Sequence, residues 1–170
     1  MTRASVNFYT AGSEFLVIKF KLGTFMPYLP ARNFLDVETV LPEATRKSFW
    51  LKSSTWQFPD YENVEAFVSK LVCDGLLASD SVVHGVLRNQ PQEISSRTVR
   101  RRFLHVTGLT QTYIHQIERA QYAATLLEHG SSILDTVHQV GYASQPHMTR
   151  SLKHFIGQTP AQIVQVSGPK

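Results

Sequence analysis

The sequence predicts a mainly α-helical protein in which a small α+β segment precedes a run of helices. From residue 60 onward, apolar residues recur at helical spacing. The residues before that point are instead rich in β-branched and aromatic side chains, turn residues and prolines. In addition, one helical segment recurs at a fixed offset. We therefore divide the chain into an amino-terminal segment (1–59), a connecting helix (60–79) and a helical domain (80–166).

The amino-terminal segment is expected to hold two strands and two short helices. Residues 6–10 and 15–21 carry the β-branched and aromatic residues typical of strands, and 11–13 between them have turn chemistry. Three prolines then break the chain, and residues 31–40 and 43–52 are expected to form short helices. Two strands alone are only marginally stable, so they need a further surface to pack on.

Aromatic residues late in this segment allow two interpretations. Trp50, Trp56 and Phe58 could line a pocket for a small-molecule effector, or they could pack in the core of the segment. Core packing is the better supported of the two. Cys73 follows on an apolar helical stretch, where a cysteine is expected to be buried and unreactive.

Each predicted helix begins at a capping residue and ends before a glycine or a proline. Serine, threonine and aspartate cap helices because their side-chain oxygen accepts a hydrogen bond from a free backbone N–H of the first turn. The predicted pairs of start and stop are Asp60 with Gly75, Asp80 with Pro91, Ser95 with Gly108, Thr110 with Gly130, Ser131 or Ser132 with Gly141, and Ser144 with Gly157, and Thr159-Pro160 opens the last helix.

The third and sixth of these helices are copies of one pattern. When the chain is shifted by 49 residues, six of the 20 positions 95–114 are identical without a gap. The identical pairs are Ser95 with Ser144, Arg101 with Arg150, His105 with His154, Gly108 with Gly157, Thr110 with Thr159, and Ile114 with Ile163. Each copy follows a short helix, and the helix of residues 110–128 connects the two copies.

A short helix, a turn and a capped second helix form a helix-turn-helix, whose second helix lies in the major groove of DNA. We therefore expect two helix-turn-helix subdomains joined by a long linker helix. Arginine and glutamine on the outward face can read base edges by hydrogen bonds. The outward residues are Arg97, Arg100 and Arg101 in the first copy, and Gln145, His147, Thr149 and Arg150 in the second.

Other residues are candidates for phosphate contacts. Ser95 and Ser144 begin helices whose free N–H groups favour an anion. Arg88, Arg102 and Lys153 are cations that flank the predicted reading faces. His105 and His154 occupy equivalent positions in the two copies, so a shared structural or phosphate role is a better interpretation than a metal site.

Charge is unevenly divided along the 170 residues. Residues 1–87 hold 8 Lys+Arg and 9 Asp+Glu, a net charge of −1. Residues 88–170 hold 9 Lys+Arg and 4 Asp+Glu, a net charge of +5, so the chain as a whole has +4. That asymmetry favours a nucleic acid or another acidic partner for this half. One cysteine excludes a disulfide framework and a cysteine-rich zinc site. Without an apolar run of about 18 residues or a signal peptide, a cytoplasmic protein without a membrane partner is expected.

The spacing of glycines, caps and polar residues across both copies resembles that of the AraC/XylS family of bacterial transcription regulators. The resemblance covers roughly residues 80–165, about half of the chain. The residues that carry it are Ser95, Arg97-Thr98-Val99, Arg101, Phe103, Thr107-Gly108-Leu109-Thr110, Ile133, Val137, Gly141-Tyr142, Gln145, His147-Met148, Arg150, Leu152-Lys153, Gly157 and Thr159-Pro160.

The resemblance implies a regulator that binds double-stranded DNA and has neither a cofactor, a metal site nor catalytic activity. RNA polymerase, a second copy of the chain and a small-molecule effector are further candidate partners by the same resemblance. The outward residues of both copies lie where the family's recognition helices touch DNA. Residues 1–79 look like only the end of the sensor domain that members of the family carry.

The chain departs from the family pattern at several positions. Thr136 and Val137 stand where an apolar residue and an alanine are usual, so looser packing is expected in the second subdomain. The first turn, around residues 89–92, looks longer than usual. Two other functions stay open at this point. The amino-terminal segment could be chiefly a sensor or dimerisation module, and a DNA-repair alkyl-transfer protein would need the cysteine cluster that Cys73 alone cannot supply.

Overall fold

The computed structural model of the protein describes residues 11–12, 15–37 and 39–167, and the strand expected at 6–10 lies outside them. Seven α-helices and five short strands make these residues mainly α-helical. They form two compact units, one within residues 11–109 and one within 110–167. No helix in the described ranges is both long enough and apolar enough to cross a membrane.

A three-stranded antiparallel sheet is the centre of the first unit. Its strands β2 (Glu43–Thr45), β3 (Ser48–Leu51) and β4 (Ser54–Gln57) are joined by two-residue turns. The helix expected at residues 43–52 is therefore wrong. The physical reason is the alternation in β3, where Phe49 and Leu51 are buried and Trp50 between them is exposed.

A second strand pairing connects distant parts of this unit. The two-residue strands β1 (Thr24–Phe25) and β5 (Ala78–Ser79) pair antiparallel. The strand expected at residues 15–21 is not observed, and three of the five large apolar side chains there, Phe15, Val17 and Phe20, are exposed. Of the helix expected at 31–40, only the 3₁₀ turn Ala31–Phe34 forms.

The connecting helix α1 (Val64–Cys73) packs Phe67, Val68 and Leu71 against the sheet. Asn63 stands at its N-cap position, so the prediction of Asp60 there is wrong. The Asp60 carboxylate instead accepts hydrogen bonds from two amides in the turn before the helix. Cys73 is exposed, which corrects the expectation of a buried thiol. It lies two residues beyond Leu71 and hence on the opposite side of the helix.

The first unit ends in a pair of helices, α2 (Ser81–Leu87) and α3 (Ser96–Thr107). The predicted caps are confirmed, since Asp80 accepts from the Val83 amide and Ser95 from the Thr98 amide. Gly108 ends α3 in the left-handed conformation, with a φ of 73°. At this point the 3₁₀ turn lies so close that a Cβ on Gly108 would come within 2.9 Å of the Arg32 nitrogen.

The second unit consists of four helices around one core. The long helix α4 (Gln111–Glu128) contacts α5 (Ile133–Val140), α6 (Gln145–Phe155) and α7 (Pro160–Ser167). The predicted caps Thr110, Ser132 and Ser144 each accept a hydrogen bond from the amide three residues later. The core residues are Ala120, Ala123, Ala124, Leu127, Val137, Tyr142, Met148, Leu152 and Ile163.

Two unusual positions of α5 lie in that core. Thr136 is fully buried, and its hydroxyl donates to the Ser132 carbonyl at 2.8 Å. Val137 is also buried. A buried hydroxyl is tolerated when it has a hydrogen-bond partner, and the carbonyl one helical turn earlier supplies it here.

Candidate nucleic-acid interface

Helix α3 separates an arginine face from an apolar face. Phe103 and Val106 are buried, whereas Arg97, Arg100 and Arg101 are all exposed. The apolar residues of α3 recur at helical spacing and so share one face, and the arginines between them fall on the other face. The three side chains predicted to contact DNA thus share the exposed side of one capped helix.

Asp80 ties the two helices of this pair together. Its Oδ1 accepts from the Val83 amide at 3.1 Å, which caps α2. Its Oδ2 accepts from Arg102 on α3, at 2.8 Å from Nη2 and 3.0 Å from Nε. Burial by itself would raise the pKa of Asp80, but the Val83 amide and the Arg102 guanidinium outweigh it and hold that pKa below its ordinary value.

Arg102 is therefore already engaged within the protein. Its side chain is 44% exposed, so part of the guanidinium remains open to solvent. Its predicted phosphate contact stays a prediction, as does that of Arg88, which is exposed just after α2. The sequence indicates such an ion pair, because Asp80 caps α2 and Arg102 lies on the adjacent helix α3.

Helix α6 has the same organisation as α3. Met148 and Leu152 are fully buried, whereas Gln145, Arg150 and Lys153 are exposed. Pro146 lies in the first turn, where a missing N–H costs no helical hydrogen bond. The remaining predicted residues, His147 and Thr149, are half-buried, and the His147 ring meets the edge of Tyr142 at a centroid distance of 5.3 Å.

The two helices begin at positions that are 49 residues apart, Ser96 and Gln145. The serine before each of them caps the helix, and the buried residues Phe103 and Leu152 are equivalent, as are Ile114 and Ile163. The preceding turns differ, since eight residues (88–95) separate α2 from α3 and four (141–144) separate α5 from α6. The longer first turn contains Asn89 with a positive φ of 56°.

Of the three aromatic candidates for an effector pocket, only Trp56 lines the groove between the sheet and α1 in the described part of the chain. Trp56 lies in the core against Phe67, and it lines a groove of about 450 Å³ together with Lys70, whose ammonium stands 4.7 Å from the indole. Trp50 and Phe58 are exposed and are not among the residues that line this groove. An effector role for the three residues stays a prediction.

Two features were missed by the sequence reasoning. The first is an apolar cavity of about 360 Å³ whose walls include Phe25, Met26, Phe34 and, from α3, Val106. The second is a basic pocket between α4 and α6 that includes Arg119 and His154. Neither has a local signal, because each combines residues that are far apart along the chain. Among the described residues, no three His, Cys, Asp or Glu side chains are grouped to hold a metal ion.

The positive charge is concentrated in the first pair of helices. Residues 88–109 hold five arginines and one glutamate, a net charge of +4. Residues 110–167 hold three Lys+Arg and three Asp+Glu, a net charge of zero. The excess that the sequence places in the carboxyl-terminal half therefore belongs almost entirely to α3 and the turn before it.

Comparisons with known proteins identify the carboxyl-terminal half. The sequence model of a family described as a helix-turn-helix domain matches residues 93–165. The HTH-type transcriptional regulator RipA of Corynebacterium glutamicum is 36% identical over 70 residues, which are 41% of this chain and 21% of that protein. The RipA regulator of Corynebacterium diphtheriae is 36% identical over 74 residues, which are 44% of this chain and 22% of that protein. No solved structure matches the chain significantly.

The chain therefore spans only about a fifth of the length of these curated relatives. The matched residues include α3 to α6 and most of α7, the same helices that carry the repeated pattern of caps and glycines. Residues 93–165 are therefore similar to the helix-turn-helix domain of HTH-type transcriptional regulators.

Proposed function

We propose that this protein is a sequence-specific DNA-binding transcriptional regulator in which α3 and α6 each enter a major groove. The observation that carries the proposal is the repeated arrangement of two capped helices, each with a buried apolar face and an exposed face of arginine or glutamine. Two helix pairs, α2–α3 and α5–α6, then act as helix-turn-helix units, and α4 connects them. This proposal makes residues 80–166 one functional domain.

The dimensions agree with this arrangement. The 18 residues of α4 span about 27 Å at about 1.5 Å per residue. Successive major-groove segments on one face of B-DNA lie about 34 Å apart. The length of this linker is close to that spacing, so the two helix pairs could read neighbouring segments of the same face.

The two units are expected to contribute differently. Arg97, Arg100 and Arg101 can contact guanine O6 and N7 or phosphates, and the net charge of +4 around α3 favours tight, salt-dependent binding. The unit of α6 has no net charge. Its share of the affinity must come from specific contacts, of which Gln145 and Arg150 are the strongest candidates.

Replacement of single arginines tests the proposal. Arg101→Ala and Arg150→Ala should each lose roughly 1–3 kcal/mol of discrimination, each at a different half of the DNA site. Arg46→Ala, an exposed arginine in the turn between β2 and β3, is the matched control and should bind like the wild type. Binding to selected and scrambled duplexes can be measured by fluorescence anisotropy. Equal losses on both duplexes would contradict base reading by these arginines.

A second candidate function is the sensing of a small apolar molecule by the first unit. The apolar cavity beside β1, the 3₁₀ turn and α3 supports it, because its volume of about 360 Å³ is within the range of ligand pockets. Val106 of α3 lines this cavity, so an occupant would touch the helix that carries the arginines.

The apolar dye N-phenyl-1-naphthylamine provides the test. Its fluorescence should rise with the wild-type protein and with Val37→Trp, an exposed position that does not line the cavity. Thr39→Trp should remove the rise, because the indole would fill the cavity from its exposed rim. An equal response of the two variants would argue against the cavity as a binding site. RNA polymerase and a second copy of the chain remain predictions of the family resemblance, and a cytoplasmic location remains a prediction of the sequence.

A further inference from the structure

A small basic pocket lies between α4 and α6 in the second unit. Its volume is about 260 Å³, large enough for a phosphate group and too small for most organic effectors. Seven of its eight lining residues carry a polar or cationic group. Helix α4 contributes Tyr113, Gln116 and Arg119, and α6 contributes His147, Arg150 and His154.

Arg119 is held in this pocket with unused hydrogen-bonding capacity. Its guanidinium carbon stands 4.5 Å from the centre of the Tyr142 ring, and the Tyr142 hydroxyl is fixed by Ser151 at 3.0 Å. The Arg119 Nε is buried and has no hydrogen-bond partner among the described residues. A buried donor without a partner destabilises the folded protein, so a bound acceptor would remove an existing penalty.

The two histidines of the pocket are also held in place. The Tyr113 hydroxyl lies 3.0 Å from His154 Nε2, and the Phe155 ring packs edge-on against both side chains. His147 rests on Tyr142 from the other end of α6. Since residues 147, 150 and 154 are three and four positions apart, they share one side of α6. The His154 ring is thus oriented by Tyr113 and Phe155, and the His147 ring by Tyr142.

No carboxylate lines the pocket. The unit has three acidic residues, of which Glu118 pairs with His115 at 3.2 Å and Asp135 accepts from Ser132 at 2.6 Å. Two of the three Lys and Arg residues of the unit, by contrast, line the pocket. The second unit has no net charge, but its positive charge is concentrated at this pocket.

We propose that this pocket binds a phosphate group, with Arg119 as the principal ligand and Gln116 and His154 as further donors. Arginine suits this task because its planar guanidinium matches the oxygens of a phosphate. The group can be a backbone phosphate of DNA beside the exposed face of α6, or part of a free phosphorylated molecule. The DNA source rests on the function proposed above, whereas the phosphate chemistry does not.

A charge placed at the rim tests the site without removing Arg119, its principal ligand. Gln116 lines the pocket and is exposed, so Gln116→Glu should repel phosphate and leave the fold intact. Gln121→Glu makes the same change at an exposed position of α4 outside the pocket. In the full chain, inorganic phosphate titrated against chloride at equal ionic strength should shift the Arg119 Nε–H resonance saturably. The shift should persist in Gln121→Glu and disappear in Gln116→Glu.

Binding to duplex DNA distinguishes the two sources. If the occupant is a DNA phosphate, Gln116→Glu should lower the slope of log affinity against log salt by about 1 relative to Gln121→Glu. A phosphate-dependent shift with equal DNA binding of the two variants assigns the site to a free phosphorylated molecule. No saturable shift together with equal DNA binding overturns the proposal. If the wild type binds no DNA, the proposed function fails, while the phosphate titration still decides the site.

Discussion

At the scale of single residues, two positions hold the first helix pair against the rest of its unit. Gly108 ends α3 where the backbone of the 3₁₀ turn approaches closely, and Asp80 joins the start of α2 to α3. Neither residue is predicted to touch DNA. Both should act indirectly, because they set the position of the helix that carries the exposed arginines.

Gly108 can be tested against a glycine of the same conformation. Gly108 and Gly141 have φ values of 73° and 74°, but a Cβ would meet the Ala31 and Arg32 backbone only at Gly108. Both alanine variants should lose about 1–2 kcal/mol from left-handed strain. Gly108→Ala should lose clearly more, because backbone must also move. Urea unfolding measures the free energy, and equal losses would show that the close approach is absent in solution.

The Asp80 ion pair predicts a dependence of stability on pH. Because the pKa of Asp80 is lowered in the folded protein, its contribution is present above the ordinary value of 3.8 and is lost as the pH falls through the folded pKa. Asp80→Asn keeps a capping oxygen but has no charge. The wild type should be more stable than this variant by about 1 kcal/mol at pH 7, an estimate reduced for the exposed side of Arg102. Urea unfolding measures the free energy of unfolding of both proteins. If the difference between wild type and Asp80→Asn did not become smaller from pH 5 to pH 3, the ion pair would be contradicted.

At the scale of elements, the helices from Ser81 onward were predictable, whereas none of the five described strands was predicted. Asp80, Ser95, Thr110, Ser132 and Ser144 cap the helices as expected, because a cap and an apolar repeat are local signals. Strands β1 and β5, by contrast, pair across more than 50 residues. The hairpin of β3 and β4 turns at Lys52 and Ser53 with positive φ, where the usual asparagine or glycine is missing.

The same reasoning explains what could be predicted of the interface. Its exposed arginines follow from the apolar period of α3, which a single helix defines. Arg119 could not be placed beside His154 from the sequence, because the packing of α4 on α6 brings these residues together. The half-burial of His147 on Tyr142 likewise depends on the way α5 and α6 are joined.

Capping at the start of α3 gives a prediction at this scale. Ser95→Ala removes the acceptor of the Thr98 amide and should destabilise the protein by about 1 kcal/mol. Ser96→Ala, at the adjacent exposed position, makes the same atomic change without loss of the cap and should be nearly neutral. Thermal unfolding of the two variants compares them directly. If Ser96→Ala lost as much stability as Ser95→Ala, the capping role of Ser95 would be contradicted.

At the scale of the whole molecule, the uneven distribution of charge suggests that the two helix pairs contribute differently to DNA binding. The net +4 of residues 88–109 should dominate attraction to any duplex, and the neutral unit of residues 110–167 should add selectivity. The two helix pairs are thus alike in pattern and unlike in charge. The central claim is that both of them read DNA at the same time.

Hydroxyl-radical and methylation footprinting on a duplex selected from random sequences tests that claim most directly. We predict two protected major-groove segments about one helical turn apart on one face. Arg101→Ala should weaken protection at one segment and Arg150→Ala at the other. Protection confined to a single segment, unchanged in position by either variant, would contradict reading by two helices.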